Sequence, residues 1–160
     1  MPGRMAPPKP KTIVTYRMRG EAETATRTLI ATRDLIDVCD EPVERGGSNE
    51  GLAPTEFLMA ALLGCTNVIS HKIAQAMGLT IAAMELTLVG RLDTRGVNLI
   101  DEVDVPFPDM KLTVTLTTDA SSADVEALKT DLHKYCAISK IIQASGTKLI
   151  EEWIVRPINA

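Results

Sequence analysis

A long apolar segment in the middle of the chain restricts the possible folds more than any other feature. Proline suits the first position of a helix and glycine commonly ends one, so the sequence predicts a single helix from Pro54 to about Met77, with Gly78 as its stop. The first half of this helix is apolar almost all round, a pattern typical of a helix that is buried on most sides. A monomer of 160 residues has difficulty surrounding such a helix. Burial between two subunits solves this problem, and we therefore predict a homodimer.

The chain before this helix is predicted to form strands. Segments rich in β-branched residues predict three of them, at residues 12–19, 24–32 and 35–39. The segment 40–53 is rich in glycine and acidic residues and predicts a loop. We expect the acids of that loop to face solvent: Asp40, Glu41, Glu44 and Glu50.

The chain after the helix mixes strands and helices. The patterns predict, in order, a strand at 83–92, a loop with a short strand near 100–105, a strand at 111–118, helices at 122–134 and 138–144, and a strand at 148–155. Ser121 and Asp124 form a capping box that opens the first of these helices. The two long strands alternate apolar and polar residues, so each has one wet face. Because strands and helices do not alternate regularly, the fold class is α+β.

Composition and charge exclude several classes of partner. Aromatic residues make up 3% of the chain and hydrophobic residues 45%, so the core is predicted to be aliphatic. The net charge of −4 argues against nucleic acid and anionic membranes, since both attract basic surfaces. The apolar run from Phe57 to Gly64 is too short to span a bilayer. We therefore predict neither a nucleic-acid nor a membrane partner.

The first eleven residues are rich in proline and lack the apolar region of a secretory signal. We interpret residues 1–11 as a disordered tail or a cloning remnant, and residues 12–160 as a single domain. A cytoplasmic location follows. In that reducing compartment, the three cysteines are not expected to serve as structural disulfides.

Two cysteines stand in contexts that allow redox chemistry. Cys65 lies within the long helix directly after Gly64, whose missing side chain lets another element approach closely. Cys136 lies where one predicted helix ends and the next begins, and amides at a helix N-terminus stabilise a thiolate and can lower its pKa. Free cysteine is also among the most buried residue types, so inert packing remains the alternative for both. We expect Cys39, in a predicted strand, to be a bystander.

The two histidines do not complete a recognisable site. His71 lies about 120° from Cys65 around an ideal helix, which argues against a Cys–His dyad there. His133 precedes Cys136 by three residues, and we interpret it as a surface histidine. The cysteine and histidine spacings match no usual zinc pattern, and no glycine-rich phosphate loop follows a strand. The sequence therefore predicts no metal and no cofactor.

Several segments together resemble the OsmC/Ohr superfamily of thiol peroxidases. The resemblance covers nearly the whole chain after about residue 12, and it is carried by Asp40-Glu-Pro42, Arg45-Gly-Gly47, the run from Gly51 to Cys65, Ala74-x-x-x-Gly78, the strand Glu85 to Arg91, and Tyr135-Cys-Ala-Ile-Ser139. It implies an OsmC-like fold, in which an intertwined homodimer packs long central helices between antiparallel sheets.

The resemblance also implies an activity, the reduction of organic hydroperoxides. Cys65 would be the peroxidatic thiolate that becomes a sulfenic acid, and Cys136 would be the resolving thiol that closes a Cys65–Cys136 disulfide. An external thiol or a dihydrolipoyl-type reductant would then reduce this disulfide. An apolar entrance would favour alkyl or fatty-acid hydroperoxides over hydrogen peroxide. These roles make the chain an antioxidant enzyme of the oxidative stress response.

This sequence departs from the family pattern near Cys65. The peroxidase branches carry a Glu directly after the helix-opening proline, whereas here the acid is Glu56, on the opposite face from Cys65 and about 13 Å away along the axis. No motif selects an activating arginine among Arg17, Arg19 and Arg27. These departures resemble the less-characterised OsmC-like branch. They leave two alternatives: a non-catalytic module that binds a small hydrophobic ligand in a dimer-interface pocket, or a purely structural Cys65.

Overall fold

The computed structural model of the chain describes residues 12–158. Its elements are β1 (Arg19–Ala22), β2 (Thr28–Thr32), β3 (Leu35–Cys39), a 3₁₀ turn (Val43–Arg45), α1 (Pro54–Met77), β4 (Ile81–Arg91), β5 (Asp109–Thr118), α2 (Ser122–Tyr135), α3 (Ala137–Ala144) and β6 (Lys148–Pro157). The chain divides into two compact units, one ending at Pro54 and one beginning at Thr55. The predicted tail at residues 1–11 lies outside the described residues, and the single domain at 12–160 stays a prediction. The α+β class is confirmed.

The N-terminal unit contains an antiparallel sheet in the order β1-β2-β3. Its third strand matches the prediction, but β1 begins only at Arg19 and includes Gly20, which pairs with Ile30. The β-branched residues from 12 to 18 belong to no described strand, and Ile13 is 86% exposed. Strand propensity alone was misleading there, because a strand forms only where a neighbouring strand accepts its hydrogen bonds.

The predicted second strand is shorter than expected because its first residues form a turn. Thr24 Oγ1 accepts hydrogen bonds from the backbone N–H groups of Thr26 and Arg27, at 3.2 and 2.9 Å. A threonine hydroxyl that satisfies nearby amides competes with the strand ladder. The strand β2 consequently starts at Thr28.

The loop after β3 is organised around a buried carboxylate, so the expectation that its acids all face solvent is wrong for Asp40. The Asp40 side chain is fully buried and accepts hydrogen bonds from the Ser48 hydroxyl at 2.6 Å and from the amides of Glu41, Ser48 and Glu50. The hydrogen bond from the Ser48 hydroxyl is the main cause that lowers the pKa of Asp40 to about 2, aided by backbone amides and opposed by burial. A charged buried carboxylate therefore holds the loop together.

The C-terminal unit confirms the predicted helices. The helix α1 has the predicted bounds, and the chain leaves it through Gly78 with φ 72°. At the start of α2, the Asp124 amide donates to Ser121 Oγ at 3.2 Å and the Ser121 amide donates to Asp124 Oδ2 at 3.1 Å. The capping box is thus confirmed in both directions.

The second sheet has the order β4-β5-β6 and is mixed. The pair β4–β5 is antiparallel, whereas β5 and β6 run parallel, so the expectation of antiparallel sheets is wrong for this pair. The physical reason is the connection: α2 and α3 return the chain to the starting end of β5, as a parallel pair requires.

One face of this sheet carries the core. Every second residue of β5 is buried, and Met110, Leu112, Val114 and Leu116 are each at most 1% exposed, which agrees with the predicted alternation. Met110 belongs to a cluster that joins residues from all three helices: Leu62 and Ile73 of α1, Leu128 and Leu132 of α2, and Ile142 of α3. The three helices therefore meet over the sheet.

The predicted short strand near residues 100–105 does not form. The segment is part of a loop that Arg95 organises, because its guanidinium contacts Asp93 at 2.7 Å and Asp101 at 3.4 Å. The loop turns at Leu99, which adopts a φ of 57°. Local ion pairs thus replace strand pairing in this segment.

The helix α1 is long and apolar enough, by length and composition alone, to cross a bilayer, and it is the one such helix among residues 12–158. The apolar run from Phe57 to Gly64 is by itself too short, and only the mean hydropathy of a longer stretch of the helix, polar residues included, reaches this level. A core helix passes the same test, and α1 buries Leu62, Ile73 and Ala74 against the rest of its unit. A single helix of this kind is weak evidence for a membrane span.

Candidate functional site

The fold of the C-terminal unit brings two distant sulfur atoms together. Cys65 Sγ and Cys136 Sγ lie 2.9 Å apart, although 71 positions separate the residues in the chain. The Cys136 thiol donates this hydrogen bond and the Cys65 sulfur accepts it. Both cysteines are free. The sulfur atoms are therefore in contact before any bond forms between them.

Cys136 is positioned by the junction of two helices. Its backbone is extended, with φ −73° and ψ 103°, and it ends α2 and caps the N-terminus of α3. Its amide donates to the Leu132 carbonyl at 2.9 Å. The break between the helices directs the sulfur away from the axis of α2 and toward α1.

Ser139 is part of the site, and the sequence analysis gave it no role. Its amide donates to Cys136 Sγ at 3.5 Å, and its hydroxyl accepts a hydrogen bond from Gln143 Nε2 at 2.9 Å. The signal was present in the sequence, since an N-cap side chain commonly accepts from the amide three residues later. Cys136 acts here as such an N-cap residue.

The two cysteines differ in exposure. Cys136 is 0% exposed, whereas Cys65 is partly exposed. Burial, aided by the hydrogen bond to Cys65 and opposed by the Ser139 amide, raises the pKa of Cys136 to about 11. The expectation that the helix N-terminus lowers this pKa is therefore wrong, because burial outweighs the amide. Cys136 is a neutral thiol at neutral pH.

Apolar side chains surround the sulfur pair. Cys136 belongs to the core cluster, and Cys65 packs against it from the α1 side. The partly buried apolar residues that pack against the same cluster include Met59, Ile69 and Ile138. A reaction at these sulfur atoms takes place in a poorly hydrated environment, which favours apolar reactants.

Two mainly apolar grooves lie in the same unit, and neither is lined by Cys65 or Cys136. One has a volume of about 250 Å³ and is lined by Leu58, Pro106, Phe107, Met110, Ile141, Ile142, Ser145 and Thr147. The other has a volume of about 390 Å³, lies beside α1 and α2, and is lined by Ile69, Lys72, Ile73, Ala76, Met77, Asp131 and Tyr135. On α1, Leu58 precedes Cys65 by seven residues and Ile69 follows it by four, spacings that place all three on one side of the helix.

The candidate arginines belong to the N-terminal unit. Arg27 forms an ion pair with Glu23, and its Nε lies 2.8 Å from Glu50 Oε2 without the alignment of a hydrogen bond. Arg17 and Arg19 are exposed and line a shallow pocket together with Arg33. Arg27 is thus already neutralised by acids of its own unit. An activating role for any of the three stays a prediction.

The remaining sequence candidates have local partners. His71 Nδ1 lies 3.0 Å from the Asn67 carbonyl, and His133 Nε2 lies 3.0 Å from Glu151 Oε1. Both histidines are exposed, which confirms the interpretation of His133 as a surface histidine. Glu56 is exposed in the first turn of α1. Cys39 is buried at the end of β3, and burial, aided by nearby acids, raises its pKa.

No cluster of three or more His, Cys, Asp or Glu side chains suitable for a metal ion occurs within residues 12–158. The thiol pair is a separate feature of the C-terminal unit. Cys65 is partly buried, and Cys136 is a buried neutral thiol whose sulfur contacts that of Cys65. Such a pair can exchange between the dithiol and the disulfide with a small movement of either sulfur.

A family model described as "OsmC-like protein" matches residues 47–152, a range that includes both cysteines of the pair. No curated protein matches the chain. An OsmC-like protein of Mycoplasma pneumoniae is 15% identical with a TM-score of 0.75, over 89% of this chain and 97% of that one. The organic hydroperoxide resistance protein OsmC of Legionella pneumophila is 17% identical with a TM-score of 0.69, over 90% and 99%. The organic hydroperoxide resistance protein OhrB of Bacillus subtilis is 18% identical with a TM-score of 0.58, over 88% and 98%. At these identities the likeness shows a shared fold.

Proposed function

Because the chain belongs to the OsmC-like protein family and holds Cys65 and Cys136 in contact, we propose that it is a thiol-dependent peroxidase that reduces organic hydroperoxides. The observation that carries this proposal is the 2.9 Å separation of the two sulfur atoms. The Legionella and Bacillus structures of the same fold are named organic hydroperoxide resistance proteins, which supports the substrate class.

In the proposed reaction, Cys65 meets the peroxide because this residue is only partly buried, whereas Cys136 is fully buried in the core. The Cys65 thiolate attacks one peroxide oxygen, the O–O bond breaks, and the alkoxide leaves as an alcohol after it takes a proton. Cys65 becomes a sulfenic acid. No cofactor takes part in this step.

Cys136 then resolves the sulfenic acid. Its sulfur attacks Cys65 Sγ, the S–O bond breaks, and hydroxide leaves as water with the proton of the Cys136 thiol. The two thiols have together lost two electrons, and the peroxide has gained them. An external thiol, for which a dihydrolipoyl-type dithiol is a candidate, returns the disulfide to the dithiol.

The proposal is tested by the thiol-coupled consumption of cumene hydroperoxide. In this assay wild type is expected to turn over and Cys65→Ser to be inactive. In a separate assay without added thiol, Cys136→Ser is expected to consume about one equivalent of peroxide and stop at a sulfenic acid that dimedone labels. Cys39→Ser is the matched control and is expected to keep wild-type turnover. Equal rates in wild type and Cys65→Ser would remove the proposal.

A second function is suggested by the two apolar grooves, one of which is lined by Leu58 and the other by Ile69, on the same side of α1 as Cys65. We propose as the alternative a non-catalytic module that binds a small hydrophobic ligand. Native mass spectrometry of freshly purified protein would then show a bound lipid-like molecule. A protein that carries no bound ligand and loses two free thiols rapidly when peroxide is added would instead support the peroxidase.

We also propose that the protein is a homodimer in the cytoplasm. Support for the dimer comes from α1, where Val68 is 49% exposed and a side-chain carbon added at Gly64 would meet no other atom within 4 Å. Among residues 12–158, no other element makes the close approach expected at Gly64. A second copy packed on this face would cover it.

A further inference from the structure

We infer that the reducing thiol attacks the sulfur of Cys65, so that the mixed disulfide forms on Cys65 and Cys136 is the leaving thiolate. The inference rests on the disulfide of the proposed function. It goes further by assigning which of the two sulfur atoms the reductant reaches. The assignment follows from exposure, from the groups around Cys136 and from the geometry of thiol–disulfide exchange.

Cys136 is fully buried, whereas Cys65 is not. Thiol–disulfide exchange depends on access to the attacked sulfur, and the nucleophile approaches along the line of the bond that breaks. An attack on Cys136 would have to come from the side away from Cys65. Cys136 is 0% exposed there and belongs to the core cluster that contains Leu128, Leu132 and Ile142. A thiol could enter only by opening this core.

No fully buried core has to open for a thiol to reach Cys65. This residue is partly exposed on α1, and it packs against the core cluster without being one of its fully buried members. An attack on Cys65 Sγ therefore does not have to pass through the fully buried members of the cluster. The reductant therefore reaches Cys65 while the helices keep their packing.

One group beside Cys136, the Ser139 amide, favours its departure as the leaving sulfur. As the S–S bond breaks, negative charge develops on Cys136 Sγ, to which the Ser139 amide already donates at 3.5 Å. A basic thiol is a slow leaving group, and burial makes Cys136 basic, with a pKa raised to about 11. The amide at the start of α3 offsets part of this disadvantage. The buried thiolate then takes a proton and restores the hydrogen bond to Cys65.

The proposed steps balance. A thiolate RS⁻ forms a bond to Cys65 Sγ, the Cys65–Cys136 bond breaks, and the electron pair leaves on Cys136. A second thiolate then attacks the sulfur of the RS group, which releases Cys65 as a thiolate and RSSR as the oxidised product. Two electrons pass from the two external thiols to the protein.

The test uses wild-type protein oxidised with diamide, which forms the disulfide without any peroxide. Glutathione is added for a short time, the mixture is quenched in acid, free thiols are alkylated, and the peptides are mapped by mass spectrometry. We expect glutathione on the Cys65 peptide and the alkyl group on the Cys136 peptide, with the reverse pattern at least about tenfold rarer. Glutathione on Cys136, or an equal distribution, would overturn the inference.

This design separates the inference from the proposed function. Protein that does not consume peroxide but forms the diamide disulfide, with its adduct on Cys65, would refute the peroxidase and support the inference. Diamide-treated protein that keeps both thiols would overturn the inference.

Two variants at Ser139 test whether its backbone N–H stabilises the departing Cys136 sulfur. Ser139→Pro removes the N–H and Ser139→Ala keeps it, while both lose the hydroxyl. We expect Ser139→Pro to slow the reduction of the disulfide by glutathione about tenfold relative to Ser139→Ala, the loss expected for one hydrogen bond to a charged group. Equal rates in two variants with wild-type circular dichroism would contradict this role, and the adduct mapping would still decide the attacked sulfur.

Discussion

At the residue scale, Cys65 and Cys136 differ in their surroundings more than their sequence contexts predict. In the sequence, Cys65 lies within a predicted helix and Cys136 lies between two predicted helices. The structure leaves one partly exposed and seals the other completely. The sequence indicated the two residues through motifs, but the pKa of Cys136 depends on burial by residues that are distant in the chain. The position of Cys136 at a helix N-terminus therefore predicted a shift of its pKa in the wrong direction.

Alkylation by iodoacetamide tests this difference. Cys65 is expected to react first, and Cys136 to remain unmodified at pH 7, because a pKa of about 11 keeps its sulfur protonated and because it is buried. Its labelling should rise with pH toward that value, as the thiolate fraction grows. Peptide mapping between pH 7 and 10 measures both rates. Cys136 labelled as fast as Cys65 at pH 7 would contradict the prediction.

At the scale of elements, the residues that start and stop helices predicted the bounds of α1 correctly, whereas strand propensity predicted the start of the first strand wrongly. Pro54 and Gly78 act within a few residues of the helix ends, and the bounds of α1 were correct. The segment 12–18 has the composition of a strand, yet no neighbouring strand pairs with it among the described residues. Pairing is not a local property, and sequence patterns do not supply it.

The loop around Asp40 provides a test of a buried charge. Asp40→Asn is expected to speed hydrogen exchange in residues 40–53 at neutral pH, because the amide cannot accept all the hydrogen bonds of the carboxylate. The pKa of Asp40 is lowered to about 2, so its stabilisation is present above the ordinary value of about 3.9 and is lost as the pH falls from there toward 2. The hydrogen-exchange rates of wild type and Asp40→Asn should therefore converge as the pH falls through that interval.

Glu44→Gln is the matched control for this measurement, since it removes the same charge from an exposed position of the same loop. Exchange in this control should follow wild type at every pH. If Asp40→Asn also exchanged like wild type at pH 7, the proposed role of the buried carboxylate would be wrong.

The capping box of α2 gives a second prediction at this scale. Ser121→Ala removes the side chain that accepts from the Asp124 amide, and it is expected to lower the free energy of unfolding by about 1 kcal/mol. Urea unfolding followed by the fluorescence of Trp153 measures the change. Ser122→Ala, one position later and exposed, should leave the midpoint nearly unchanged. Equal midpoints in the two variants would count against the cap.

At the scale of the whole molecule, α1 is more apolar than one chain needs. Several of its residues are exposed despite their small or apolar side chains, among them Ala61, Gly64 and Val68. The hydrophobic effect favours removal of such a surface from water. This is the physical reason for the dimer that the sequence predicts and that we propose.

Light scattering tests the dimer. Wild type is expected to have twice the chain mass of 17.3 kDa, and Gly64→Leu to shift toward one chain mass, because the new side chain would occupy the space of the second copy. The same substitution at Gln75, an exposed position in the more polar half of α1, is the control. A wild-type mass of one chain would refute the dimer.

The sequence by itself determined the long helix, the capping box, the α+β class and the two cysteines, because these depend on propensities and spacings within short segments. Only the tertiary structure decided that the sulfur atoms meet, that Cys136 is sealed and neutral, that β6 runs parallel to β5, and that Asp40 is buried. Each of these features depends on which distant segments exclude water from one another. That outcome is set by the packing of the whole unit and not by any local pattern of residues.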